Sequence, residues 1–300
     1  MDQSQLHAYE TRCVQDEPPG CQTMCPVHLD ARAFAACMEE GKFQEARRIL
    51  DRALPLSGLL ARLCHGPCRP HCRRAEVDEA LNLPLLERAC AANTRAIRPM
   101  ALPATGKRLG VLGSGLSSLA AAYELARKGH EVTLLHAPDG PGAGLLLLPE
   151  TLLPAAAVAE ALELLSALRV CPAPLPKAGP ASWQNLLDEF QALYLGQDDP
   201  ALDPQAFGLG AGDLRLDPIT GATQIPGVFA GGFPAGGNRS FMHAAAAGKL
   251  AAGSVTRALQ GVAPGSARDK DATYPSLLYV NLDQVLPLPP IRPENELQPS

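Results

Sequence analysis

Three hundred residues with 46% apolar content are enough for one large core or two smaller ones, and a formal charge of −5 provides no basic stripe for nucleic-acid phosphates. Aromatics are scarce at 4%, whereas 29 prolines and 27 glycines imply many turns and some loose connections. Nine cysteines follow a start, Met-Asp-Gln-Ser-Gln, with neither a basic n-region nor an apolar h-region; this predicts metal or redox ligands rather than disulfides, and a cytoplasmic protein.

Residues 1–99 read as mainly helical. Asp30 can cap a helix through Phe34 and Met38 to Glu40, closed by Gly41. A second helix is expected from Phe43 to about Leu54, where Phe43, Ala46, Ile49 and Leu50 recur at helical spacing. Cys64 to Cys72 reads as a loop and Leu81 to Ala92 as a short helix, before a linker at 100–107. A strand–turn–helix–strand unit begins at Arg108. The apolar stretch from Leu145 to Val170 contains Glu150, Glu160 and Glu163, which argues against membrane insertion. From Cys171 to about Leu209 the chain is Pro-rich, with one helix expected near Trp183 to Leu195. Regular structure returns at Gly227-Val-Phe-Ala-Gly-Gly and in an Ala-rich helix from Met242 to Leu259. The expected architecture is α followed by α/β: a helical domain over 1–99, a reduced Rossmann-like α/β domain over 108–262, and an extended tail over 263–300 that packs on the body or on a partner.

The chemistry is concentrated in the cysteines. Six of the nine form Cys13-x7-Cys21-x3-Cys25-Pro26 and Cys64-x3-Cys68-x3-Cys72. Such spacings, with a Cys-Pro step, suit iron–sulfur clusters, and a ligand of one run commonly crosses to a second cluster. Structural zinc sites favour Cys-x2-Cys pairs, and the sequence has none. Cys37 and Cys90 lie on helices. Cys37 is expected to be a small buried apolar residue; Cys90, one turn after Glu87, is not expected among the ligands, substitution for one of them being the alternative. His28, His65 and His71 are expected to be hydrogen-bond donors or surface residues.

The stretches Cys21-x3-Cys-Pro-Val-His-Leu-Asp, Gly41-Lys-Phe-Gln-Glu-Ala, Leu54-Pro-Leu, Ala61-Arg-Leu-Cys-His-Gly-Pro-Cys-x3-Cys-Arg-Arg and Leu81-Asn-Leu-x3-Glu-Arg together resemble the N-terminal domain of the glutamate synthase small-subunit family. Dihydropyrimidine dehydrogenase and the NADPH-dependent bifurcating transhydrogenases carry the same domain. The resemblance covers most of residues 10–95 and implies two [4Fe-4S] clusters. By position, it assigns Cys13, Cys21 and Cys72 to one cluster and Cys25, Cys64 and Cys68 to the other, with Glu87 as the fourth ligand of the second. The family's remaining first-cluster cysteine falls on Asp16, so either a carboxylate oxygen ligates there or that iron is open or lost. Oxygen is a harder donor than thiolate, which implies a labile cluster with a shifted potential.

Arg108-Leu-Gly-Val-Leu-Gly113-Ser-Gly115-Leu-Ser-Ser118 followed by Glu131-Val-Thr-Leu-Leu-His136 reads as a βαβ dinucleotide-binding unit, Gly113 making the tight turn and Gly115 admitting a pyrophosphate at the helix N-terminus. In the resembling family this unit is the FAD-binding half, and Gly227 to Gly232 is similar to its C-terminal flavin-contacting segment. Several details depart from that pattern. Ser118 replaces the third glycine, His136 replaces the ribose-binding acid, and Phe233 replaces the Asp that follows Gly231-Gly232. The family's NADPH domain has no room between Val170 and Gly210, so no NAD(P)H site is expected. Two readings of the flavin site stay open: FAD bound with altered contacts, or a structural remnant. No catalytic acid–base pair or nucleophile stands out. The expected function is an electron-transfer subunit that relays electrons inside a larger oxidoreductase complex, with a ferredoxin or flavoprotein among its partners. The alternatives are an FAD-containing oxidoreductase subunit and a structural assembly subunit.

Overall fold

The computed structural model describes residues 3, 17–177, 179, 182–210, 212–232, 240–266, 268, 270–278, 282 and 285–288. The chain divides into two compact units, one of residues 1–53, 65–95 and 273–300, the other of residues 54–64 and 96–272. In chain order the first helices are α1 (Gly20–Thr23), α2 (Ala31–Glu39), α3 (Phe43–Ala53), α4 (Ser57–Leu63) and α5 (Leu83–Asn93), with α4 belonging to the second unit.

In the first unit, α2 starts where the Asp30 carboxylate accepts the Ala33 amide at 3.1 Å, satisfying one of the orphan donors of the first turn. Its buried stripe is Ala31, Phe34 and Met38. Gly41 takes φ +70° to reverse the chain into α3, which buries Ala46 and Leu50. Cys37 sits at the edge of the α2 stripe and is only half-buried, so the expected core position is corrected. Arg47 is fully buried on α3; its guanidinium donates to Asp51 at 2.9 Å and to Thr94 at 3.5 Å. α5 begins two residues later than expected because Asn82 caps it, accepting the Leu85 amide at 3.4 Å. Residues of the tail belong to this unit. The Tyr274 amide donates to the Thr23 carbonyl at 3.2 Å, the Ser276 hydroxyl to the Pro18 carbonyl at 2.5 Å, and the Leu288 amide to Asp78 at 2.8 Å.

The second unit contains β1 (Arg108–Leu112), α6 (Leu116–Arg127), β2 (Glu131–His136), α7 (Ala155–Ala167), β3 (Cys171–Pro174), α8 (Ser182–Glu189), β4 (Ala192–Gly196), β5 (Val228–Gly231) and α9 (Phe241–Leu259). Among the described residues the strands form one parallel sheet in the order β3-β2-β1-β4-β5. The direction of winding reverses between β1 and β4. In open α/β sheets, that reversal opens the crevice where ligands bind.

The helix expected over Trp183–Leu195 ends at Glu189, and Ala192–Gly196 is the buried strand β4. Strands covered on both faces read as continuous apolar runs, which periodicity does not separate from helix. Leu193 and Leu195 join Leu112, Phe190 and Phe207 in a core on one face of the sheet. β3 lies at the sheet edge, where Pro172 and Pro174 are tolerated. The residues before β1 are tied to the base of the βαβ unit, Leu102 N donating to Arg127 O at 2.8 Å and Thr105 N to Gly129 O at 2.9 Å. Among the described residues no helix is long and apolar enough to cross a membrane.

α6 and α9 pack closely because Gly248 has no side chain: a Cβ there would lie 2.1 Å from the Ser117 carbonyl oxygen. In an isolated helix Ala is favoured over Gly by about 1 kcal/mol. Overpacking against backbone costs about 1–3 kcal/mol or more and outweighs that gain. Gly248→Ala is therefore expected to lower the midpoint of chemical denaturation, whereas Gly144→Ala, with nothing within 4 Å of its added Cβ, is expected to leave it nearly unchanged.

Candidate functional site

Cys25 ends the turn after α1 and is buried. Burial pushes its thiol pKa up, while hydrogen bonding from the backbone at Leu29, Val27 and His28 pulls it down. Those amides can reach the sulfur because the chain doubles back: His28 takes φ +55° and its amide donates to the Cys25 carbonyl at 2.9 Å. Amides aimed at one sulfur favour its thiolate, the form that binds metal. Cys68 follows the turn Cys64-His-Gly66-Pro67. There Gly66 holds φ +74° and packs so tightly that a Cβ would lie 3.0 Å from Arg69 and Pro84. The Cys68 thiol is pushed up to about 12 by burial, and then by the charges of Cys25, Glu87 and Cys21.

Glu87, only 4% exposed on α5, adds its charge to both Cys25 and Cys68. Cys21 is raised by burial and by Cys72, with Arg32 pulling the other way. Within the first unit, electrostatic influence thus links Cys25, Cys68 and Glu87, and links Cys21 with both Cys72 and Cys68. Cys64 is buried at the end of α4. Cys13 and Asp16 lie outside the described residues. Cys90 is buried with its thiol donating to the Phe43 carbonyl at 3.6 Å. His65 and His71 are exposed, and the His28 ring lies 6.2 Å from Tyr274.

Among the described residues, no three His, Cys, Asp or Glu side chains converge on a single ion position. The ligands of a cubane bind separate irons at its corners and stand further apart than those of one tetrahedral ion. The donor set fits a cluster: soft thiols in a low-dielectric interior, whose mutual repulsion as anions is relieved by iron charge.

In the second unit the glycine-rich turn follows β1 as expected. Gly113 takes φ +92° and Gly115 caps α6. The Ser118 hydroxyl donates to the Leu112 carbonyl at 3.0 Å, and it fits because residue 196 is Gly: a Cβ there would lie 2.0 Å from the Ser118 oxygen. His136 ends β2 and donates its Nδ1 proton to the Ala137 carbonyl at 2.7 Å. Gly231 closes β5 beside the buried Tyr194, and Gly232 takes φ +135°. Phe233 lies outside the described residues.

The turn also holds two residues that the sequence reading missed. Asp199 accepts the Ser114 amide at 2.6 Å, and Asp198 accepts the Ser117 amide at 3.0 Å and the Ser117 hydroxyl. Burial pushes the Asp198 carboxyl up, while its hydrogen bonds from Ser117 pull it down. Leu193-Tyr-Leu-Gly196-Gln-Asp-Asp-Pro, an apolar run ending in Gly and turn residues, was the available signal.

Residues 1–98 match the family model described as dihydropyrimidine dehydrogenase domain II, 4Fe-4S cluster. The N-terminal domain belongs to this 4Fe-4S family. Residues 111–145 match the NAD(P)-binding Rossmann-like domain, which suggests a dinucleotide site at the turn after β1. The chain is similar to the NADPH-Fe(3+) oxidoreductase subunit beta of Geobacter sulfurreducens, 34% identical over 42% of this chain and 20% of that protein. It is also similar to the NADP(+)-dependent formate dehydrogenase subunit beta of Moorella thermoacetica, 32% identical over 50% of this chain and 25% of the relative. The small chain of NADPH glutamate synthase from Mycobacterium tuberculosis is 29% identical over 49% of this chain and 30% of its own length. The chain thus spans less than a third of each of these relatives.

The raised thiol pKa values have a consequence in the iron-free 4Fe-4S domain. At pH 8 a thiol with pKa about 12 is thiolate in only about one molecule in ten thousand, and the thiolate is the nucleophile. Alkylation of Cys68 by iodoacetamide is expected to lag far behind that of the exposed Cys171 and to quicken about tenfold per pH unit over pH 7–9. Mass spectrometry of tryptic peptides reads both rates.

Proposed function

We propose that the protein is an iron–sulfur electron-transfer subunit that relays electrons within a larger oxidoreductase complex through two [4Fe-4S] clusters. The observation that carries this reading is the electrostatic influence of Glu87 on the buried Cys25 and Cys68, and of Cys72 on Cys21, in a stretch that matches a 4Fe-4S family model. One cluster takes Cys25, Cys64, Cys68 and Glu87. The other takes Cys13, Cys21 and Cys72, with Asp16 in the fourth place. When bound, the clusters supply one-electron chemistry. The chain's own residues supply thiolates, a dry surrounding and amide donors around Cys25. Two of the relatives are named as beta subunits of oxidoreductases, which supports a place beside partner subunits; a ferredoxin or flavoprotein is the proposed partner and the cytoplasm the proposed compartment.

The second reading, an FAD-containing oxidoreductase subunit, draws on the glycine-rich turn after β1 and on the Rossmann match. It differs from the relay in flavin content, so anaerobic purification with iron, sulfide and flavin counted per chain separates the two. About eight irons and no flavin are expected for the relay. Cys25→Ser is expected to remove about half of the iron and leave the other cluster's spectrum. Loss of no iron would overturn the ligand assignment, and stoichiometric flavin would select the second reading.

Asp16 gives an independent check. A thiolate suits cluster iron better than a carboxylate, so Asp16→Cys is expected to slow bleaching of the visible cluster absorption by oxygen and chelators several-fold. An unchanged bleaching rate would remove Asp16 from the site.

A further inference from the structure

We propose that Asp198 and Asp199 occupy the place of a dinucleotide pyrophosphate, so that the Rossmann-like unit caps its own phosphate cradle and takes up no FAD or NAD(P) as it stands. The two carboxylates leave the sheet from the loop after β4, at the point beside β1 where the winding reverses and where doubly wound sheets bind their ligands. They take the donors a pyrophosphate would take. Asp199 holds the Ser114 amide at 2.6 Å and the Ser114 hydroxyl at 3.3 Å, while Asp198 holds the Ser117 amide and hydroxyl at the N-terminus of α6. That end of the helix carries partial positive charge, which a carboxylate satisfies as a phosphate does.

The glycines support the same assignment. A Cβ on Gly115 would lie 2.9 Å from the Asp198 carboxyl carbon, one on Gly113 3.3 Å from Asp199, and one on Gly232 2.8 Å from the Asp198 amide nitrogen. The close approach that a dinucleotide fold reserves for phosphate is therefore used by side chains of the same molecule. The loop is also pinned. Gln197 N donates to Gly231 O at 2.7 Å, Ala201 N to the Asp199 carboxylate at 2.9 Å, and Leu202 N to Asp199 O at 3.1 Å. A phosphate entering beside the two carboxylates meets like charge and finds its amides taken, which costs affinity twice.

The residues present thus do not fit a dinucleotide in this arrangement. The proposal concerns the second unit alone and is independent of the cluster assignment. Equilibrium dialysis of the full chain, purified anaerobically, against FAD and ADP tests it. The wild-type chain is expected to retain neither, and the double variant Asp198→Ala/Asp199→Ala to bind roughly a hundredfold more tightly. Should that variant fail to fold, Asp198→Asn/Asp199→Asn removes the charge, keeps hydrogen-bond acceptors at both positions, and is expected to gain affinity in the same direction. Hydrogen exchange at the Ser114 and Ser117 amides of the wild-type chain is expected to be slow and unchanged by ADP. Stoichiometric FAD on the wild-type chain, slowing of those amides by ADP, or a folded variant that binds no more tightly than wild type would each overturn the assignment. Iron content is expected to stay the same in every variant, so a failure here is distinct from a failure of the cluster reading.

Discussion

The Glu87 carboxylate raises the thiols of Cys25 and Cys68, and Cys72 raises that of Cys21, groups that as anions would repel inside one small helical unit. Its helices are short: α1 has 4 residues, α2 has 9, and α3 and α5 have 11 each. Isolated helices of such length are marginal in water, so packing and ligation must hold them. Metal binding to deprotonated thiols becomes folding free energy in small domains of this kind. The buried Arg47, paired with Asp51, shows the same economy, a charge kept inside only with a partner.

The second unit is stabilised differently. A parallel sheet with both faces covered needs close contacts between its elements, and three small residues make such contacts. Gly110 sits under Leu193 and Phe190, Gly196 under the Ser118 hydroxyl, and Gly248 against the Ser117 carbonyl. α6 is the hub of this arrangement. It packs along α9 through Gly248, returns to β1 through Ser118, and presents its first amides to Asp198 and Asp199. A helix N-terminus left without acceptors forfeits about 0.5–2 kcal/mol relative to a capped one. The carboxylate pair supplies that capping from within the chain.

Local signals explain what the sequence made legible. Asp30 before Ala31 and Gly41 after Glu40 bracket α2, and Gly113-Ser-Gly115 after an apolar strand marks the βαβ turn. The cysteine spacings reveal ligation chemistry because thiolates at such intervals have few other uses. β4 stayed hidden because Leu193-Tyr194-Leu195 is buried on both faces and carries no period. β3 stayed hidden because its two prolines argue against a strand everywhere but an edge. The Asp198–Asp199 cap was not legible because it depends on strand order, which brings the end of β4 beside the end of β1 across more than eighty residues of chain. Glu87 was reached only through resemblance. Its spacing from the cysteines carries no metal pattern of its own, and only α5 carries its charge to where it acts on Cys25 and Cys68.

A flavin's service in a redox chain is to accept a hydride as two electrons and release them singly, whereas a cubane cluster passes one electron at a time. On the proposed reading, a chain whose phosphate cradle is filled by its own carboxylates has given up the first step and kept the second. The hydride chemistry must then sit on a partner, and the electrons must reach this chain already separated. That division matches the chemistry in each unit. The first matches a 4Fe-4S family model, with amides turned toward Cys25 and the Glu87 charge acting on Cys68. In the second, the donors that would hold a nucleotide already hold Asp198 and Asp199.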